Sequence, residues 1–161
     1  MNIEKMTTTM QQALGQAQQI AMVRKHQEID IPHLWKVFME PNHFARNLYS
    51  DLQVNDKEFE DLIDKELDRI SVVEGQNVQY GQSMSQNLYR LFTEAEKIRE
   101  SFKDDYLSTE VVVLALMELQ NHPLTRYLVQ HHVTKENLRA RIEELRGGER
   151  VTSQNQEEQY E

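Results

Sequence analysis

The groups most able to do chemistry in this 161-residue chain are six histidines and 27 carboxylates, because the chain has no cysteine. Without cysteine, disulfides, thiol nucleophiles and zinc–thiolate sites are excluded, and a reducing compartment is compatible. His131 and His132 are adjacent, and His122 lies nine residues before the first of them. Adjacent residues on a helix point about 100° apart, so this pair does not chelate one ion. His26, His33 and His43 are spread along the chain. They read as surface or helix-end residues, with His33 at the boundary marked by Asp30–Pro32. No metal site is expected.

The carboxylates fall into clusters: Glu58-Glu60-Asp61-Asp64, Asp104-Asp105 with Glu110, and Glu143-Glu144. General acid–base work needs a cleft and a raised pKa. Most of these acids sit at polar positions of helical segments and read as a solvated face. Asp104 and Glu110 differ, since they bracket the loop before a helix at 108–119 and are placed to line the rim of a groove. The chain contains no G-x-x-x-x-G-K-[ST] phosphate loop, no G-x-S-x-G elbow and no H-E-x-x-H pair. No catalytic site and no cofactor are therefore expected in it.

Behind these residues stands a mostly helical chain. Apolar residues make up 39%, charged residues 28%, and the net charge is −9. That charge argues against a general nucleic-acid binder, which needs clustered Lys and Arg. There is no apolar run long enough for a membrane span. Met1–Gln11 lacks the pattern of a secretory signal.

A repeat organises the helices. With a shift of 78, Met6 falls on Met84, Leu14 on Phe92, Ile29 on Leu107 and Leu34 on Val112. The shift then drifts by one or two residues, and Phe59 and Ile63 find Leu138 and Ile142. We read two copies, about 1–75 and 82–146, joined by Gly75–Gly81.

Each copy reads as four helices. The first carries a stripe of Met6, Met10, Leu14, Ala17 and Ala21 at helical spacing. Asp30-Ile31-Pro32 starts the second, and Pro41-Asn42 stops it. A short helix follows over about Phe44–Leu52, and Asn55 caps a fourth over about Asp56–Ser71. The second copy repeats this plan. Its helices carry Leu88–Phe102, begin after Ser108, open at Pro123 and run from Thr134 to Gly147-Gly148.

Val111–Met117 is apolar on every side. It is either a central core helix or a helix with one side open to a surface groove. Leu14 and Phe92, repeat mates in their stripes, carry the same ambiguity. Beyond Gly148, Glu149–Glu161 is mostly Gln, Glu, Ser, Thr and Asn. It reads as the start of a flexible linker with too little apolar surface to order itself.

MNIEKMTTTMQQALGQAQQIA, QEIDIPHLWKVFM and QNLYRLFTEAEKIRESFKDDYLSTEVVVLALME together resemble the N-terminal Clp repeat domain of Clp chaperone ATPases. The tail RGGERVTSQNQEEQYE is similar to the linker of ClpB-type disaggregases. The resemblance implies an all-α domain of eight helices in two pseudo-twofold four-helix repeats, spanning 1–148. It implies a cytoplasmic stress-response chaperone, hexameric as a whole, in which this domain alone is monomeric. The domain would contact unfolded or aggregated polypeptide without nucleic acid or membrane, a co-chaperone system would act on the parent, and ATP would belong to other domains. The family's substrate-contact patch, carried over by motif, implies Thr7, Phe92, Asp104, Glu110 and Val111, with Leu14 as a neighbouring wall by the repeat argument. A shallow apolar groove rimmed by carboxylates would favour extended, apolar, somewhat basic segments and bind them weakly. The alternative is an adaptor-docking module of a protease-partner ATPase.

Overall fold

The computed structural model describes residues 2–156. Eight α-helices follow a short 3-10 turn at Ile3–Lys5. They are α1 (Thr8–Val23), α2 (Ile31–Phe38), α3 (Phe44–Asp51), α4 (Asp56–Asp68), α5 (Gln86–Phe102), α6 (Thr109–Leu116), α7 (Pro123–Gln130) and α8 (Lys135–Arg146). No helix among the described residues is long and apolar enough to cross a membrane.

Local chemistry sets each start. Thr7 Oγ1 accepts the Met10 N–H at 3.2 Å, and its repeat mate Ser85 accepts the Leu88 N–H at 3.0 Å. Asp30 caps α2 and Ser108 caps α6 at the same shift. His43 Nδ1 accepts the Ala45 N–H at 3.2 Å, and His122 Nδ1 accepts the Leu124 N–H at 3.1 Å. Asn55 and Thr134 cap α4 and α8. Each such bond satisfies a helix-end amide that would otherwise lack a partner. The stops match as well. Lys25 and Lys103 take left-handed φ of 62° and 59°, while Gln53 and His132 take 67° and 70°. Gly147, at φ 59°, ends α8, and glycine meets no Cβ penalty there.

Two contacts between the repeats are absent from the sequence reading. Strand β1 (Glu28–Ile29) pairs in parallel with β2 (Ser83–Met84), and Met6 bridges in parallel to Leu107. Since Met6 matches Met84 and Ile29 matches Leu107, each repeat lends its first segment to the other. The Thr7 N–H donates to the Leu107 carbonyl at 3.0 Å, and the Ser85 N–H donates to the Ile29 carbonyl at 2.8 Å. Strands of two residues are too short to show alternation in a sequence.

The core runs through the middle of both repeats. Every residue of α6 is buried, and α2 buries all but Lys36. Val111–Leu116 therefore lies in the core, while Met117, at the end of α6, lines an open cleft against α7 and α8. In repeat 1, Trp35 Nε1 donates to the Tyr49 hydroxyl at 2.8 Å, and Tyr49 meets Phe59 edge-on. That bond satisfies two polar groups deep in apolar surroundings.

Residues 149–156 depart from the expected linker. They run back across the domain as a strap with Val151 fully buried. The Val151 N–H donates to Asp104 Oδ1 at 2.9 Å, and the Val151 carbonyl accepts the Asp105 N–H at 2.8 Å. Further along, the Gln154 carbonyl accepts the Thr8 N–H at 2.8 Å, and Gln154 Nε2 donates to the Glu4 carbonyl at 2.9 Å. Backbone groups, polar side chains such as Gln154 and Arg150, and one apolar plug hold this polar segment, so its composition concealed the contact. The rest of the expected linker, 157–161, lies outside the described residues.

Candidate functional site

The six residues singled out from the sequence are all buried. Leu14 sits in the α1 core stripe, and Val111 in the core face of α6. Thr7 commits its hydroxyl to the α1 cap and its N–H to Leu107. None of these three lines an open surface.

Asp104 and Glu110 come together, but inward. Arg146 donates to both oxygens of Asp104 at 3.1 and 2.9 Å, and through Nε to Glu110 at 3.0 Å. Its guanidinium also lies 4.4 Å from the centre of the Phe102 ring. The expected carboxylate rim is thus an interior ion cluster. Carboxylates this deep are stable only when paired, and α8 brings the cation from the far end of repeat 2. Burial pushes the Glu110 carboxyl up, against the pull of Arg146. The cluster ties the α5–α6 loop, the first turn of α6, the end of α8 and the strap into one unit.

An open groove lies over the bridge between Met6 and Leu107. Met6 and Leu107, paired across the repeats, form its floor together with Met84, and α5 forms one wall. Its volume is about 450 Å³. Phe92 reaches it from below, the one sequence-predicted residue that does. Tyr89, one turn away on α5, stands 61% exposed at its edge. Ile3, on the turn beside Asn2, is exposed too. Lys5, Lys97 and Glu96 supply the charges of the rim. A cationic ligand segment is not favoured by that set, which corrects the preference for somewhat basic segments. The groove can hold apolar side chains against aromatic and thioether surfaces, which adapt to varied shapes.

Tyr89 was missed in the sequence because it lies off the buried stripe of Leu88, Leu91, Phe92 and Ala95. A large aromatic on the polar side of an amphipathic helix was the available signal.

The other cluster of titratable groups is structural. The Asp30 N–H donates to His33 Nδ1 at 2.8 Å, so His33 carries its proton on Nε2 and donates it to His26 Nδ1 at 2.8 Å. Burial first, then the neighbouring His26, lowers the pKa of His33 to about 4. His33 is therefore part of the α2 capping box, in agreement with its expected boundary position. Among the described residues no group of three or more His, Asp or Glu is placed to hold a metal ion.

Three kinds of likeness bear on this arrangement. The family model described as the Clp repeat (R) N-terminal domain matches residues 5–131. The chaperone protein ClpB of Enterococcus faecalis is 59% identical over 160 residues, which is 99% of this chain and 18% of that protein. The chain thus spans about a fifth of the length of the curated relatives it matches. Among solved structures, the Hsp104 N-terminal domain from Candida albicans aligns with a TM-score of 0.76 at 20% identity, over 93% of this chain and 97% of that one. A complex of the ClpV N-domain with a VipB peptide aligns with a TM-score of 0.74 at 19% identity, over 93% and 92% of the two chains.

Proposed function

The chain belongs to the Clp repeat N-terminal domain family, and on that premise we propose that it transiently captures unfolded or aggregated polypeptide in the groove between the repeats. It would do so within a larger ClpB-type chaperone, and pass the captured segment to the ATPase ring of that protein. The observation that carries this reading is the half-open groove floored by Met6 and Leu107, with the exposed Tyr89 at its edge. An aromatic lip over an apolar floor suits extended segments of mixed sequence, because contacts to apolar side chains do not demand one geometry. The peptide held by the ClpV N-domain, similar in fold, supports a peptide-sized ligand.

Affinity should be weak. A groove of about 450 Å³ accommodates only a few side chains, and a promiscuous binder gains nothing from one demanding set of contacts. Tethering of several copies around a hexameric ring would raise avidity through effective concentration, without new contacts. ATP binding, hexamer formation and a cytoplasmic setting belong to this reading of the whole protein. The domain itself would act as a monomer.

An NMR titration of the labelled domain with reduced casein tests the reading. The expected result is shift changes at Tyr89, Phe92, Thr93 and Leu107, saturating only at high polypeptide concentration. No change at these residues, together with tight binding of a folded adaptor, would replace capture of unfolded chains by adaptor docking.

A further inference from the structure

The internal repeat provides a comparison that exposes a second, separate site. In repeat 1, Arg46 of α3 fills the cleft between the end of α2 and the start of α4. Its guanidinium donates to the Met39 carbonyl and to Glu60, and lies 3.3 Å from Asp56. In repeat 2 the matching positions, at a shift of 79, are Thr125, Lys135 and Arg139. The plug has become a short side chain, and both acids that held it have become bases. Thr125 Oγ1 still reaches a last-turn carbonyl of the preceding helix, donating to Leu116 at 2.9 Å. Nothing replaces the rest of the arginine.

The cleft that results has a volume of about 530 Å³ and lies between α6, α7 and α8. Met117 and Val133 form its apolar floor, and Val129, 55% exposed, stands at its mouth. Arg126, Lys135 and Glu136 line it, on a chain of net charge −9. Glu118 takes up part of the Lys135 charge at 2.9 Å, while Arg126 stands exposed. An apolar floor with the exposed Arg126 at its mouth fits a ligand that is the inverse of the one held in repeat 1. In place of a stem ending in a guanidinium, it fits an apolar side chain adjacent to a carboxylate.

We propose that the α6–α7–α8 cleft is a docking site for an acidic partner-protein segment, with one apolar side chain over Met117 and Val133 and a neighbouring carboxylate on Arg126. The site lies on different helices from the Tyr89 groove and does not depend on the function proposed for that groove. Ion pairing at the exposed mouth makes the interaction sensitive to salt. The Arg126 charge there also selects against basic segments that the apolar floor alone would accept.

The probe is an acetylated, amidated hexapeptide alternating Leu and Asp, titrated into the labelled domain and compared with the same peptide carrying Lys in place of Asp. The expected result is shift changes at Arg126, Val129 and Val133 with the Asp peptide, and at least fivefold weaker binding of the Lys peptide. Arg126→Glu and Val129→Glu, both at exposed positions, should each weaken the Asp peptide at least fivefold. An unchanged melting temperature and unchanged shifts at the α6 core in these variants report that the fold is intact. Rebuilding the repeat-1 clamp with T125R, K135D and R139E should close the cleft and abolish binding. Equal affinity for the two peptides, shifts confined to Tyr89 and its neighbours, or indifference to Arg126→Glu would each overturn the proposal.

Discussion

Arg146 and Asp104 face each other through two parallel hydrogen bonds of 3.1 and 2.9 Å, both side chains out of contact with solvent. The same guanidinium reaches Glu110, and the Val151 N–H takes a place on Asp104. Two carboxylates thus share one cation in the interior, and one oxygen of Glu110 has no hydrogen-bond partner among the described residues. Removing the cation would leave two buried acids uncompensated. Arg146→Ala should destabilise the domain by about 3–5 kcal/mol. Urea unfolding followed by circular dichroism measures this, and a loss under 1 kcal/mol would refute the structural role.

The strap gives a second test. Ending the chain after Gly148 removes the Val151 plug and the acceptors of the Thr8 and Asp105 amides. Burial of a valine side chain contributes about 1.5–3 kcal/mol, so the truncated domain should remain folded but melt earlier. Hydrogen exchange at Thr8 and Asp105 should accelerate far more than at the α6 core. Unchanged protection at both amides would show that the strap is not held in solution as described.

Acid should loosen the domain through its buried histidines. Burial lowers His33 and His43 from 6.5 to about 4, and lowers His122 as well. All three serve as neutral acceptors at helix starts through Nδ1. Protonating His33 would place a proton against the Asp30 N–H. Because the folded values lie below the unfolded one, the unfolded chain binds protons first as pH falls. For His33 and His43 the stabilising contribution is complete above about pH 6.5 and is lost as pH drops toward 4, at up to about 1.4 kcal/mol per pH unit for each, and that of His122 falls in the same direction. Stability measured from pH 7.5 to 4 should be flat at first and then fall. His43→Asn, which keeps a capping acceptor, should reduce the slope, and an unaltered slope would contradict the assignment.

How far the sequence could be read follows from the range of each interaction. Asn55, Ser108 and Thr134 bond to amides three residues on, so the starts of their helices were legible. The doubled pattern at 78 made the eight-helix plan and the family legible together. Asp104 and Glu110 were misplaced on a groove rim because their partner Arg146 lies 42 and 36 residues away. No local period reports a pairing of that separation. Residues 149–156 read as loose because their partners, among them Asp104, Thr8 and Glu4, lie far away in the sequence, and a mostly polar composition gives no sign of bonds at that separation. Phe92 lines the groove proposed for capture, while Tyr89 on its open side went unnoticed because it broke the core stripe instead of belonging to it.

The measurement closest to the central claim compares the affinity of reduced casein for the domain and for its Tyr89→Ser variant, by fluorescence anisotropy of labelled casein. Tyr89 is largely exposed and packs little into the core, so the variant should melt like the parent. The groove account predicts at least fivefold weaker binding with an unchanged melting temperature. Equal affinity of the two proteins would place polypeptide capture somewhere other than the groove between the repeats.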